Sequence, residues 1–202
     1  MTNPLAVGES AERVVAATRN WLEKTVIGLR LCPYAAAPYR REQIRYTVSE
    51  QRSPSELARE LGQELEYLHA ADPLLCETTL LIHPHVLVDF NDYNQFLSEA
   101  EAMVHTLGLE GVLQIASFHP DYRFAGSAPN DVENCTNRSP YPMLHLLREA
   151  SVTRAVAASP KANEVVARNK ATLRSLGDAG WQELWTSAQS SACGNTSDIH
   201  GT

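Results

Sequence analysis

An α/β architecture, one small and mostly parallel sheet of three or four strands flanked by helices, follows from three features of the chain. Apolar patterns of helical period alternate with runs of strand length. Two of those runs, Leu80 to Ile82 and Ile115 to Phe118, end in a His-Pro, with one helical pattern between them, as in a β-α-β unit. The first run is apolar at every position, the mark of a strand covered on both faces. Right-handed crossovers would join such units. A ferredoxin-like α+β sandwich is the competing arrangement, reached if part of a later loop supplies an antiparallel strand.

Helical spacing comes first, with Val14, Thr18, Trp21, Leu22, Thr25, Val26 and Leu29 on one stripe, and it stops before Cys32-Pro33. Ile44 to Ser49 alternates and predicts a half-buried strand. Ser53-Pro54-Ser55-Glu56 combines an N-cap, a proline at the first helical position and a capping-box glutamate. Leu57, Leu61, Leu65 and Leu68 follow on one face until Asp72-Pro73. The second strand is predicted over residues 78–83. Asp89 to Asp92 offers N-caps for a helix carrying Tyr93, Phe96, Leu97, Ala100, Val104 and Leu107, with Gly108 as its left-handed stop. The third strand is predicted over residues 112–119, ahead of a long polar stretch from Asp121 to Pro142. After Pro142 a helix is expected through Ala158. It restarts at Ser159-Pro160-Lys161 towards Gly177, and Trp181, Leu184 and Trp185 form a last amphipathic turn.

A chain of 202 residues buries about two-thirds of its unfolded surface in one core, so residues 1–187 are read as a single domain. Residues 188–202, rich in Ser, Gly and Asn, are read as a disordered tail. The net charge of −7 argues against nucleic-acid or anionic-membrane surfaces, which need clustered Lys and Arg. Cys32, Cys76, Cys135 and Cys193 show no CxxC spacing, the first ten residues carry no basic or apolar leader, and no run approaches membrane-spanning length. Together these point to a cytoplasmic protein with reduced thiols.

His83 and His119 are expected at one sheet edge, where open α/β sheets place their ligands and where imidazole suits proton transfer or metal ligation. Two satisfied histidines capping strand ends fit the same pattern. His83-Pro84-His85 and His119-Pro120-Asp121 would, if they converge, give three imidazoles and a carboxylate for Zn, Mn or Fe. Against this stands a pair of solvated loop residues, His85 and Asp121. Asn137, Arg138 and Ser139, with Asn134 and Thr136 before them, precede the expected helix and suit an anion, although Pro140 and Pro142 each remove an amide donor. On that helix His145 and Glu149 would be neighbours with Arg148 beside them, a dyad or an ordinary solvated face. Cys32 falls near a helix C-terminus, where the dipole opposes a thiolate, and reads as structural. No nucleotide-binding loop, Schiff-base lysine or GxSxG elbow is present, so no organic cofactor is expected.

The chain resembles an uncharacterised bacterial family known as domain of unknown function 1415. The resemblance rests on Thr18-Arg19-Asn20-Trp21, Val26-Ile27-Gly28-Leu29 and Leu31-Cys32-Pro33, on Glu77 to Pro84, and on Asp89 to Asn94. It continues through Ala116 to Pro120, Phe124-Ala125-Gly126, Thr136 to Pro142 and Leu144 to Ala150. It implies no activity, cofactor or catalytic residue. The residues themselves point to an enzyme of hydrolase or lyase type acting on a small anionic metabolite. His83 and His119 would act as acid and base or as ligands, Asp121 would orient them, and Asn137, Arg138, Ser139 and Arg148 would hold the anion. The alternative is an interaction module that docks through an exposed patch at Trp181 and Trp185.

Overall fold

A computed structural model describes residues 10–158 and 165–190. In chain order these form α1 (Ala11–Trp21), a π-helical turn (Leu22–Ile27), α2 (Ala36–Arg40), β1 (Ile44–Val48), α3 (Pro54–Ala70) and β2 (Thr78–Ile82). Then come α4 (Phe90–Thr106), β3 (Leu113–Phe118), a 3-10 turn (Val132–Asn137), β4 (Met143–Arg148), α5 (Glu149–Ala157) and α6 (Val165–Ser190). The expected restart at Ser159-Pro160-Lys161 and the tail from residue 191 lie outside the described residues. Residues 188–190, assigned above to that tail, continue α6.

Local chemistry opens two helices as anticipated. The Ser53 hydroxyl accepts from the Glu56 amide at 3.4 Å and donates to Glu56 Oε2 at 2.7 Å, while Pro54 stands where a missing N–H leaves nothing unpaired. Asp89 accepts from the amides of Asn91 and Asp92 at 2.8 and 3.2 Å, and Gly108, at φ 67°, closes the same helix.

The strands form one sheet in the order β1-β2-β4-β3. β1 and β2 are parallel, with Ile44 opposite Thr78; β4 runs antiparallel to both its neighbours, so His145 faces Leu80 on one side and Ala116 on the other. β1, β2 and β3 therefore share one direction and β4 opposes them. The sheet is mixed where a mostly parallel one was expected, and the antiparallel strand follows the long loop.

The helix expected directly after Pro142 is corrected by β4. Leucines favour helix when read locally, and an apolar run this short does not distinguish helix from buried strand. Here the slot between β2 and β3 decides: Leu144 and Leu146 join the core on one face while Met143 joins it on the other. His145 and Glu149 consequently do not share a helix face, since one lies in β4 and the other begins α5.

Helices cover both faces. Leu57, Leu61 and Leu65 of α3 and Tyr93, Phe96 and Ala100 of α4 pack with Leu81, Leu113, Leu144 and Leu146. On the opposite face Val14, Trp21, Leu22 and Val26 pack with Leu80, Ile82 and Met143. α6 lies against α1, the π-helical turn and the 3-10 turn, and is broken at Gly177 (φ 66°), where the sequence had predicted a helix end. Among the described residues no helix is long and apolar enough to cross a membrane.

Candidate functional site

β2 and β3 deliver His83 and His119 to the same sheet edge, as their sequence positions require. Both rings meet Tyr93, which stacks on His83 at 5.8 Å between centroids and tilts against His119 at 5.1 Å. Both histidines are 0% exposed. The Asp121 amide donates to His119 Nδ1 at 3.0 Å, which puts the proton on Nε2, facing the Leu87 carbonyl at 3.3 Å. His83 Nδ1 donates to the Val86 carbonyl at 2.9 Å, leaving Nε2 buried without a partner among the described residues. Burial lowers the His83 pKa to about 4 and lowers that of His119 as well. These are neutral rings that pin backbone; neither is open to a substrate.

The metal set does not assemble. His85 lies 3.9 Å from Glu50, and among the described residues no three His, Cys, Asp or Glu side chains gather as a metal ion needs. Asp121 is exposed and meets His119 through its amide. His145 is half-buried on the α1 face of β4, with Nε2 2.8 Å from the Thr78 hydroxyl, and burial lowers its pKa to about 4. The Arg148 guanidinium donates to the carbonyls of Leu68 and Ala71 at 2.6 and 2.7 Å, capping the end of α3 rather than holding an anion.

The long polar stretch is ordered by its own amides. Asn134, 0% exposed, accepts from the Phe124 amide and the Ser127 hydroxyl and donates to the Ala128 carbonyl, closing residues 124–134 into a compact turn. Arg138 donates to the Pro129 carbonyl at 2.8 Å, and buried Ser139 donates to the Tyr141 carbonyl at 2.7 Å. Both therefore serve the loop itself. Asn137 donates to the Ser117 carbonyl at 3.0 Å and also lines a cavity.

That cavity, about 670 Å³, opens beside the C-terminal end of β3. Its apolar wall comes from Val26 of the π-helical turn, Leu31, Phe118 and Phe124, and its polar wall from Ser127, Thr136, Asn137, Asn169 and Lys170. Glu133 binds Lys170 at 2.6 Å and Arg174 at 2.7 Å, tying the 3-10 turn to α6 across the space. Asn169 donates to the Leu31 carbonyl at 2.8 Å, which fixes its amide, and its Oδ1 is left buried with no partner among the described residues. Cys32 is also on the wall. It lies between the turn that closes the π-helical segment and the short α2 segment; its burial pushes the thiol above its usual range, against backbone hydrogen bonds from Tyr34 and Ala35.

Sequence reasoning anticipated Asn137 and the loop but missed Asn169, Lys170 and Val26. A π-helical turn keeps helical spacing in the string, and Asn169 sits in a segment whose periodicity reads as an ordinary helix. Trp181 is 5% exposed and stacks on half-buried Trp185 at 5.5 Å, so the two tryptophans do not form the expected exposed patch.

A family model described as "Protein of unknown function (DUF1415)" matches residues 13–183. No curated protein and no solved structure matches the chain.

Proposed function

The chain belongs to the DUF1415 family, whose description assigns no activity, and we propose from the site alone that it binds a small, mainly apolar, uncharged molecule carrying an N–H or O–H donor. The binding place is the cavity between the π-helical turn, the 124–137 loop and α6. One observation carries this reading: a buried acceptor, Asn169 Oδ1, has no partner among the described residues and belongs to a residue on the cavity wall. An orphaned buried acceptor costs about 1 to 3 kcal/mol, which a ligand donor would recover through a small shift of the Asn169 side chain, since almost none of this oxygen's surface is open. The volume and the mixture of apolar wall with few polar groups suit such a molecule.

An anion has weaker support at this cavity, because Asp131 and Glu133 line it and its Lys170 is already paired with Glu133. Hydrolase or lyase chemistry at His83 and His119 has weaker support too, since both rings are sealed from ligand. Titration with benzamide and with N,N-dimethylbenzamide, which lacks the donor, tests the reading. Benzamide is expected to bind more tightly, by about tenfold for one buried hydrogen bond. Asn169→Leu should erase that difference, and Ala125→Trp, which fills the cavity from an exposed position, should weaken both amides. Equal affinity of the two amides for the wild type would contradict it.

A further inference from the structure

A second cavity, about 630 Å³, lies at the opposite edge of the sheet, where β1 and β2 begin and β4 ends. Gln43 and Glu77, which precede the two strands, line it together with Arg41 after α2 and with Ser151 and Arg154 of α5. Its charges are unevenly spent. Glu77 lies 3.9 Å from Arg148 Nε and 3.9 Å from an Arg154 amine, and its side chain and that of Arg148 are only 13% and 12% exposed. The half-buried Arg148 therefore offsets the one carboxylate on the wall. Arg154, 70% exposed, is oriented by donating to the Ser151 hydroxyl at 2.7 Å, and Arg41 makes no ion pair among the described residues. Two guanidinium groups thus face a concavity on a chain whose net charge is −7, so the local sign opposes the global one.

The remaining wall adds a donor and an apolar seat. Tyr34 is 6% exposed, and its hydroxyl sits 3.5 Å from the Glu77 carbonyl, too long for a strong bond. Burial, and then the Glu77 carboxylate, raise its pKa well above the usual phenol range, so the hydroxyl keeps its proton and can donate. Pro38, Pro73 and Leu74 supply apolar surface beside the two arginines. Guanidinium forks match carboxylate and phosphate oxygens, and the prolines and leucine match a hydrocarbon body.

We propose that this cavity binds a small organic anion, its carboxylate or phosphate held by Arg41 and Arg154 and its apolar body lying against Pro38, Pro73 and Leu74. The site is separate from the one beside β3 and shares no residue with it.

Calorimetric titration of the full chain with phenyl phosphate, benzoate and inorganic phosphate tests the proposal. Phenyl phosphate or benzoate is expected to bind saturably and more tightly than inorganic phosphate, which lacks the apolar body. Arg41→Ala and Arg154→Ala should each weaken the organic anion by about tenfold, the effect of one charge-assisted hydrogen-bonding group. Arg40→Ala, which removes the same charge from an exposed position outside the cavity, should change it little. Ala125→Trp should also leave it unchanged, so failure here is distinguishable from failure at the other cavity. No saturable binding of either organic anion by the wild type would overturn the proposal. So would equal losses in all three arginine variants, or inorganic phosphate binding as tightly as phenyl phosphate.

Discussion

A neutral imidazole can donate with one nitrogen and accept with the other, and His119 uses both to hold backbone: the Leu87 carbonyl on one side and the Asp121 amide on the other. Its neighbour His83 holds the Val86 carbonyl with Nδ1 alone, and Leu87, the residue His119 holds, adopts φ 55°. Phe90, Tyr122 and Phe124 extend the aromatic contact from His119 to the cavity wall. The histidines thus hold the backbone at this edge of the sheet. Their placement was legible, because a strand ending in His-Pro fixes which edge the ring reaches; their burial was not, because Tyr93 closes over them from α4. A pH dependence follows. The folded-state pKa of His83, about 4, lies below the usual histidine value, so the unfolded chain binds the proton more readily between those limits. Stability from this group is complete above about pH 6.5 and is lost as pH falls towards 4, in total on the order of 3 kcal/mol. Denaturant midpoints measured from pH 7 to pH 5 should fall, and His83→Gln should lessen that fall without abolishing it, because His119 and His145, whose pKa values burial also lowers, contribute with the same sign. A wild-type midpoint constant over this range would contradict the assignment of His83 as a buried neutral ring.

Among the elements, the π-helical turn shapes the site most. It carries Gly28→Glu23 and Leu31→Val26 backbone bonds, both 2.9 Å, and this wider winding sets Val26 and Leu31 where they line the cavity. Gly28 is required there, since a Cβ would collide with the Lys24 carbonyl oxygen. Gly28→Ala should therefore destabilise the protein by about 1 to 3 kcal/mol by denaturant unfolding, although alanine favours ordinary helix. An unchanged or raised midpoint would show that the turn tolerates ordinary α-helical winding. Capped helices such as α3 and α4 were readable because Ser53, Pro54 and Asp89 act within one turn of themselves. β4 was not, because its leucines carry no local signal for strand and its conformation depends on partners β2 and β3, each more than 20 residues away in the chain.

At the scale of the whole molecule, alternating patterns sufficed to predict helices around a single sheet, since burial on both faces of β2 demands layers above and below it. The cavity beside β3 was beyond that reach. Besides Phe118 at the end of β3, its walls come from four segments, around Val26, Cys32, the 124–137 loop and Asn169, which only the packing of α6 against the π-helical turn and the 3-10 turn brings together. If these segments enclose one ligand site, backbone amide shifts followed by NMR during benzamide titration will trace it. Saturable shifts with one common affinity are expected in all four segments, and none around His85 or Leu74. Shifts confined to a single segment, or centred elsewhere on the fold, would contradict it.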